Sequence, residues 1–119
     1  MKTTTVTFSG LRTTTSDPLY QYDYGQGLVF ADLDLPEAYE VHFSNMSMKG
    51  ESTSQIGDEN GVSIPDMYFL SGEDIFAWIY LHEGEDDGET VYKVTIPIKK
   101  RAQPTGIQPT PVQDRKSVV

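Results

Sequence analysis

The sequence predicts an all-β protein built as an antiparallel β-sandwich. Three observations point there. Apolar and polar residues alternate along 39–44 and 90–98, the period-2 signature of half-buried strands, and aliphatic residues alternate with aromatic ones along 75–81. Turn-forming residues punctuate the chain about every 8–12 positions, the spacing of a sandwich. No segment sustains the 3.6-residue apolar period of an amphipathic helix.

Residues 3–8 (Thr-Thr-Thr-Val-Thr-Phe) are rich in β-branched side chains and read as a strand that ends at Ser9-Gly10. Residues 11–18, with three Thr followed by Ser16-Asp17-Pro18, read as a linker. The segment 19–24 reads as a strand with Tyr20, Tyr22 and Tyr24 on one face, closed by Gly25-Gln26-Gly27. A strand over 28–33 is broken by Asp34-Leu35-Pro36. Tyr39, Val41 and Phe43 alternate with Glu40, His42 and Ser44. The polar stretch 47–56 reads as an edge strand or loop, 57–61 as a turn, 62–64 as a short strand and 66–74 as one helical turn or a wide loop.

The strongest strand is 75–82. Ile75, Ala77, Ile79 and Leu81 share one face, and Phe76, Trp78 and Tyr80 the other. The acidic stretch 83–89 has the glycines of a hairpin connection, and 90–98 returns with Tyr92, Val94, Ile96 and Ile98 in phase. From Arg101 onward Pro104, Pro109 and Pro111 occur among few apolar residues, so an extended tail is expected. The expected organisation is an immunoglobulin-like sandwich over 16–101, an N-terminal strand or arm over 1–15 and a Pro-rich basic tail over 102–119.

Composition supports one domain. The 119 residues suit a single core, and 28 of them are Leu, Ile, Val or Phe, more than a disordered chain carries. No apolar run reaches the ~18 residues of a membrane span. The N-terminus lacks the apolar stretch of a signal peptide. Without cysteine there is no disulfide framework, thiolate zinc site or cysteine nucleophile.

Charge is unevenly placed. The formal net charge is −9, yet residues 16–98 hold 17 Asp and Glu against Lys49 and Lys93 alone. Such a body repels nucleic-acid phosphates, so neither nucleic acid nor membrane is an expected partner. Lys99, Lys100, Arg101, Arg115 and Lys116 make the C-terminal segment basic. It suits an acidic protein surface, including a second copy of this body, although a solvated tail accounts for it equally well.

Chemistry-bearing motifs are scarce. A nucleophilic triad needs a base beside the hydroxyl, and only His42 and His82 could serve. His42 lies opposite the apolar face of its strand and His82 at a strand end, so both read as rim histidines. There is no Gly-x-Ser-x-Gly elbow, Walker loop or Gly-x-Gly-x-x-Gly. The carboxylates Glu83, Glu85, Asp86, Asp87 and Glu89 lack an EF-hand order and read as a solvated hairpin rather than a calcium site. The expectation is no catalytic residue, no metal and no cofactor.

The aromatics are more informative. Twelve of 13 lie between Tyr20 and Tyr92. The Phe76, Trp78 and Tyr80 face must be covered by residues 66–74 or the N-terminal strand, by a protein partner, or by sugar rings stacked on Trp78. The interface candidates are therefore Phe76, Trp78, Tyr80, Tyr20, Tyr22, Tyr24, Lys99, Lys100, Arg101, Arg115 and Lys116.

The strings Tyr20-Gln21-Tyr22-Asp23-Tyr24-Gly25-Gln26-Gly27-Leu28, Leu33-Asp34-Leu35-Pro36 and Glu40-Val41-His42-Phe43-Ser44-Asn45 resemble the N-terminal β-sandwich domain of phage baseplate upper proteins. That domain is also found in tail proteins of phages infecting Gram-positive bacteria. The resemblance continues through Val62-Ser63-Ile64-Pro65, Ile75-Phe76-Ala77-Trp78-Ile79-Tyr80, Gly88-Glu89-Thr90-Val91-Tyr92 and Arg101-Ala102-Gln103-Pro104, about residues 19–104 in all. It implies a non-enzymatic virion component, assembled in the bacterial host cytoplasm, that docks on other phage virion proteins. A homo-oligomer is the expected state. The family pattern continues into a long C-terminal region that this sequence lacks, which favours a baseplate or tail-fibre adaptor, or a head-decoration subunit, over a receptor-binding fibre. Host cell-wall carbohydrate is the alternative ligand.

Overall fold

In a computed structural model, residues 1–46, 52–83 and 88–102 are described, the side chains of 82, 83, 88 and 89 excepted. They form an all-β sandwich. The strands are β1 (Lys2–Thr7), β2 (Thr13–Thr15), β3 (Leu19–Tyr20), β4 (Gln26–Ala31), β5 (Tyr39–Asn45), β6 (Thr53–Gly57), β7 (Val62–Ser63), β8 (Ile75–Glu83), β9 (Gly88–Ile96) and β10 (Ile98–Lys99). A 3-10 helix spans Asp66–Phe69.

The main sheet has the order β2-β9-β8-β5-β6. Its central ladders are antiparallel, as the alternating pattern predicts, with Val41 opposite Ile79 and Ala77 opposite Val94. The inward row of Val41, Phe43, Ile75, Ala77, Ile79, Val94 and Ile96 is fully buried. Against it lie Val6, Leu28 and Val62 of the sheet β1-β4-β7. From the segment 66–74, Tyr68 and Phe69 also enter the core, while Met67 and Leu70 are exposed.

Three pairings are parallel, namely β1 with β4, β2 with β9 and β3 with β10. All three involve the N-terminal 20 residues. The stretch 1–15 is thus built into the sandwich, and Val6 and Phe8 are core residues. A tight turn at Phe8–Leu11, with Ser9 and Gly10 both at positive φ, sends the chain from β1 to β2.

The segment read as a linker contains β2. Its three threonines are β-formers, but their partner is 80 positions away, beyond the reach of a local reading. The segments 12–21 and 93–101 run side by side and change sheets together at Pro18 and Pro97. Three residues separate Thr15 from Leu19, while two separate their partners Thr95 and Ile98. The extra residue is a bulge at the corner, where strands commonly pass between sheets.

The Tyr20-Tyr22-Tyr24 face does not form. The strand stops at Tyr20, where the Asp23 N–H bonds back to the Tyr20 carbonyl at 3.1 Å, and Tyr22 takes a φ of 68° with its N–H on the Phe69 carbonyl at 2.9 Å.

Tyr68 joins the 3-10 helix to the main sheet. Its fully buried hydroxyl donates to the Phe43 carbonyl at 2.7 Å and lies 2.9 Å from the Thr53 Oγ1. Replacing Tyr68 by Phe keeps the ring and removes both bonds, so unfolding experiments should show a loss of about 1–2 kcal/mol. For a domain of this size each kcal/mol lowers Tm by about 4–8 °C. An unchanged Tm would show that this hydroxyl is not a structural tie.

Candidate functional site

The alternation that fills the core dictates what the outer face of the main sheet presents. Phe76, Trp78 and Tyr80 stand outward from β8 and are half-buried. Phe76 and Trp78 have ring centroids 5.9 Å apart. Lys93, opposite Trp78 on β9, places its ammonium 4.9 Å from the centre of Phe76 and 5.7 Å from that of Trp78, within cation–π range. From β5, His42 lies opposite Trp78 and meets Tyr80 edge-on at 4.6 Å. Its Nε2 is 3.3 Å from Glu40 Oε1.

Neither segment expected as an intramolecular cover lies on this face. Residues 66–74 contribute Tyr68 and Phe69 to the core, and β1 belongs to the opposite sheet. The stripe is therefore partly open among the described residues, flanked by one cation and one carboxylate. Neither Lys93 nor His42 was among the interface candidates read from the sequence. Each occupies the outward phase of its own strand, but their alignment with Trp78 depends on strand register.

At Tyr80 the stripe reaches a groove of about 710 Å³ where the loop 32–38 overhangs the end of the main sheet. Leu33, Pro36, Ile56, Leu81 and the rings of Tyr39, Tyr80 and Tyr92 line it, with Asp34 and Glu40. An adjoining cleft of about 400 Å³ adds Glu37, Asp58 and Glu59. No lysine or arginine lines either cavity among the described residues. The groove is apolar beneath and anionic at its margins. It was not legible in the sequence, because its walls come from a loop and four strands.

The remaining candidates gather at the opposite end. Tyr20 is exposed and lies between two cations, with Lys99 Nζ and Arg101 Cζ each 5.9 Å from its ring centre. Arg101 also reaches Asp23 at 3.8 Å. Lys100 is exposed nearby, beside Gly72 and Gln21. Tyr24 is exposed and Tyr22 half-buried, each on the turn that follows β3. These residues form a separate cluster, so the aromatic candidates do not constitute one surface. Arg115, Lys116, the hairpin residues 84–87 and the His82 side chain lie outside the described residues.

Among the described residues no group of three or more His, Asp or Glu side chains converges as metal ligands would, and no helix is long and apolar enough to cross a membrane. The arrangement can stack aromatic or apolar groups along the stripe and attract a cation into the groove.

Tyr39 ties the floor of the groove to the β6–β7 turn through its hydroxyl, which donates to the Asp58 carbonyl at 3.0 Å. Burial, and then the Asp58 carboxylate, raise its pKa above 10.0. The folded state therefore holds this proton at a pH where the unfolded chain releases it. The stability contribution is complete below about pH 10 and is lost as pH rises through the raised value. Replacing Tyr39 by Phe should flatten the decline of stability above pH 10 in alkaline denaturation, and an unchanged slope would contradict this assignment. Compared with known proteins, the chain matches no protein-family model and no curated protein.

Proposed function

We propose that this chain is a structural bacteriophage virion protein, a baseplate or tail adaptor subunit that acts by docking on other virion proteins and on copies of itself, without catalysis. The observation that carries the reading is the stripe of Phe76, Trp78 and Tyr80. One face of β8 is consumed by the core, while the other keeps three large rings half-buried on the outside of the sheet. Clustered tryptophan, tyrosine and phenylalanine rings at a surface are the composition of interface centres. The resemblance of residues 19–104 to the baseplate domain supplies the particle context. A head-decoration subunit would use the same surface.

A second reading is favoured by one feature of the same stripe. Tryptophan and tyrosine side by side on a sheet, flanked by Glu40 and Lys93, can stack a sugar ring and hydrogen-bond its hydroxyls. In that case the chain binds host cell-wall carbohydrate.

Antibody labelling and mass spectrometry of purified particles from the encoding phage separate these possibilities. The adaptor reading expects the chain in every particle, in a fixed ratio to the other structural proteins, with Trp78→Ala abolishing its incorporation while circular dichroism stays unchanged. Absence from particles rejects it. Retained incorporation together with loss of glycan binding by Trp78→Ala supports the carbohydrate reading instead.

A further inference from the structure

The apolar, acid-rimmed groove and the basic, proline-rich C-terminal segment complement each other. We infer that the groove at Tyr39, Tyr80 and Tyr92 receives residues 104–116 of a neighbouring copy of this chain. This names the partner of one surface within the docking function proposed above, and rests on that reading.

The groove has the chemistry of a polyproline receptor. The half-buried rings of Tyr80 and Tyr92 with Pro36 form an apolar trough over the buried Tyr39, and Asp34 and Glu40 supply negative charge, with no lysine or arginine in its walls among the described residues. Aromatic troughs bind polyproline-type segments because those segments enter already extended and lose little conformational entropy. The sequence after Ala102 offers such a segment, with Pro104, Pro109 and Pro111 followed by Arg115 and Lys116. The prolines suit the tyrosines, and the two cations suit the carboxylates at the margin.

Chain direction selects a neighbouring copy. Strand β9 starts at the groove end, passes Tyr92 and runs toward Ile96, and β10 continues to Lys99. Ala102, the last described residue, thus lies at the end opposite the groove. With residues 104–116 seated in a groove, only Gln103 is left to bridge from Ala102, far short of the roughly 30 Å length of the nine-residue β9 that separates this end from the chain's own groove, so the groove belongs to a copy packed against this end. The contact joins two different surfaces, so it is heterologous and propagates into a ring or a linear array.

Photo-crosslinking of the full chain tests this directly. Val112 is replaced by p-benzoylphenylalanine, equal amounts of unlabelled and ¹⁵N-labelled chain are mixed and irradiated, and the adducts are mapped by mass spectrometry. The expected adducts join light to heavy chains and fall on residues 33–40, Tyr80 or Tyr92. Glu40→Lys, an exposed substitution whose folding is verified by circular dichroism, should lower their yield by up to about fivefold, the upper range for loss of an exposed ion pair. Combining it with Arg115→Glu and Lys116→Glu should restore the yield. Adducts confined to one chain, adducts on another surface, no adducts, or a yield indifferent to Glu40→Lys overturn the inference. Particle incorporation is read separately, so failure of the tail contact is distinguishable from failure of the adaptor function.

Discussion

The central constraint is the phase of β8. This strand lies in the middle of the main sheet, paired on both sides over most of its length. Ile75, Ala77 and Ile79 are fully excluded from solvent, and each large aliphatic side chain so buried stabilises the fold by about 1.5–3 kcal/mol. A slip of one residue would exchange the two faces and send the aliphatic row into water. With the phase fixed, Phe76, Trp78 and Tyr80 have no place in the core. Their outward position follows from packing, and so do their neighbours. Trp78 must face Lys93 on one side and His42 on the other, because β5 and β9 are locked to the same register.

A second constraint ties the two halves of the chain together. The segments 12–21 and 93–101 run parallel, both turning from one sheet to the other at a proline. Neither Pro18 nor Pro97 can donate a ladder hydrogen bond, which makes them suited to a corner. The Pro97 carbonyl accepts from Leu19 at 3.0 Å, and the Lys99 carbonyl from Gln21 at 2.9 Å, so the bend is hydrogen-bonded through. Gln21 extends the tie, donating from its side chain to the Leu70 carbonyl and accepting from the Arg101 N–H. This corner places Lys99 and Arg101 around Tyr20 and sets the direction in which the chain leaves the sandwich. Such pairing between distant segments forms late and slowly when loops must close first.

Much of the sandwich was legible because its central strands announce themselves locally. The alternation in 39–43, 75–82 and 90–98 identified both the strands and the faces that fill the core. What failed was pairing at a distance. The Thr13-Thr14-Thr15 triplet has the composition of a strand and the neighbourhood of a linker, and only β9 decides between them. Tyr20, Tyr22 and Tyr24 have the spacing of a strand face, but the positive φ at Tyr22 breaks the period. The candidate surface was half legible for the same reason. The β8 aromatics follow from one strand's pattern, whereas the His42 and Lys93 contacts require register, and the groove requires a loop folded over four strands. Tyr68, spaced like a loop residue, proved to be the most deeply placed tyrosine, since its hydroxyl is satisfied by a strand 25 residues earlier.

Trp78 is the only tryptophan in the sequence, so its fluorescence reports on the outer face alone. If the proposed adaptor role holds, the most direct measurement compares emission wavelength and acrylamide quenching at position 78, with the chain labelled by 7-azatryptophan so that other proteins' tryptophans do not contribute, in the free chain and in the particle into which it assembles. Burial of the stripe against another protein predicts a shift to shorter wavelength and a marked loss of quenching on assembly. An unshifted, equally quenched tryptophan in a chain that is incorporated would contradict the assignment of this face as the docking surface.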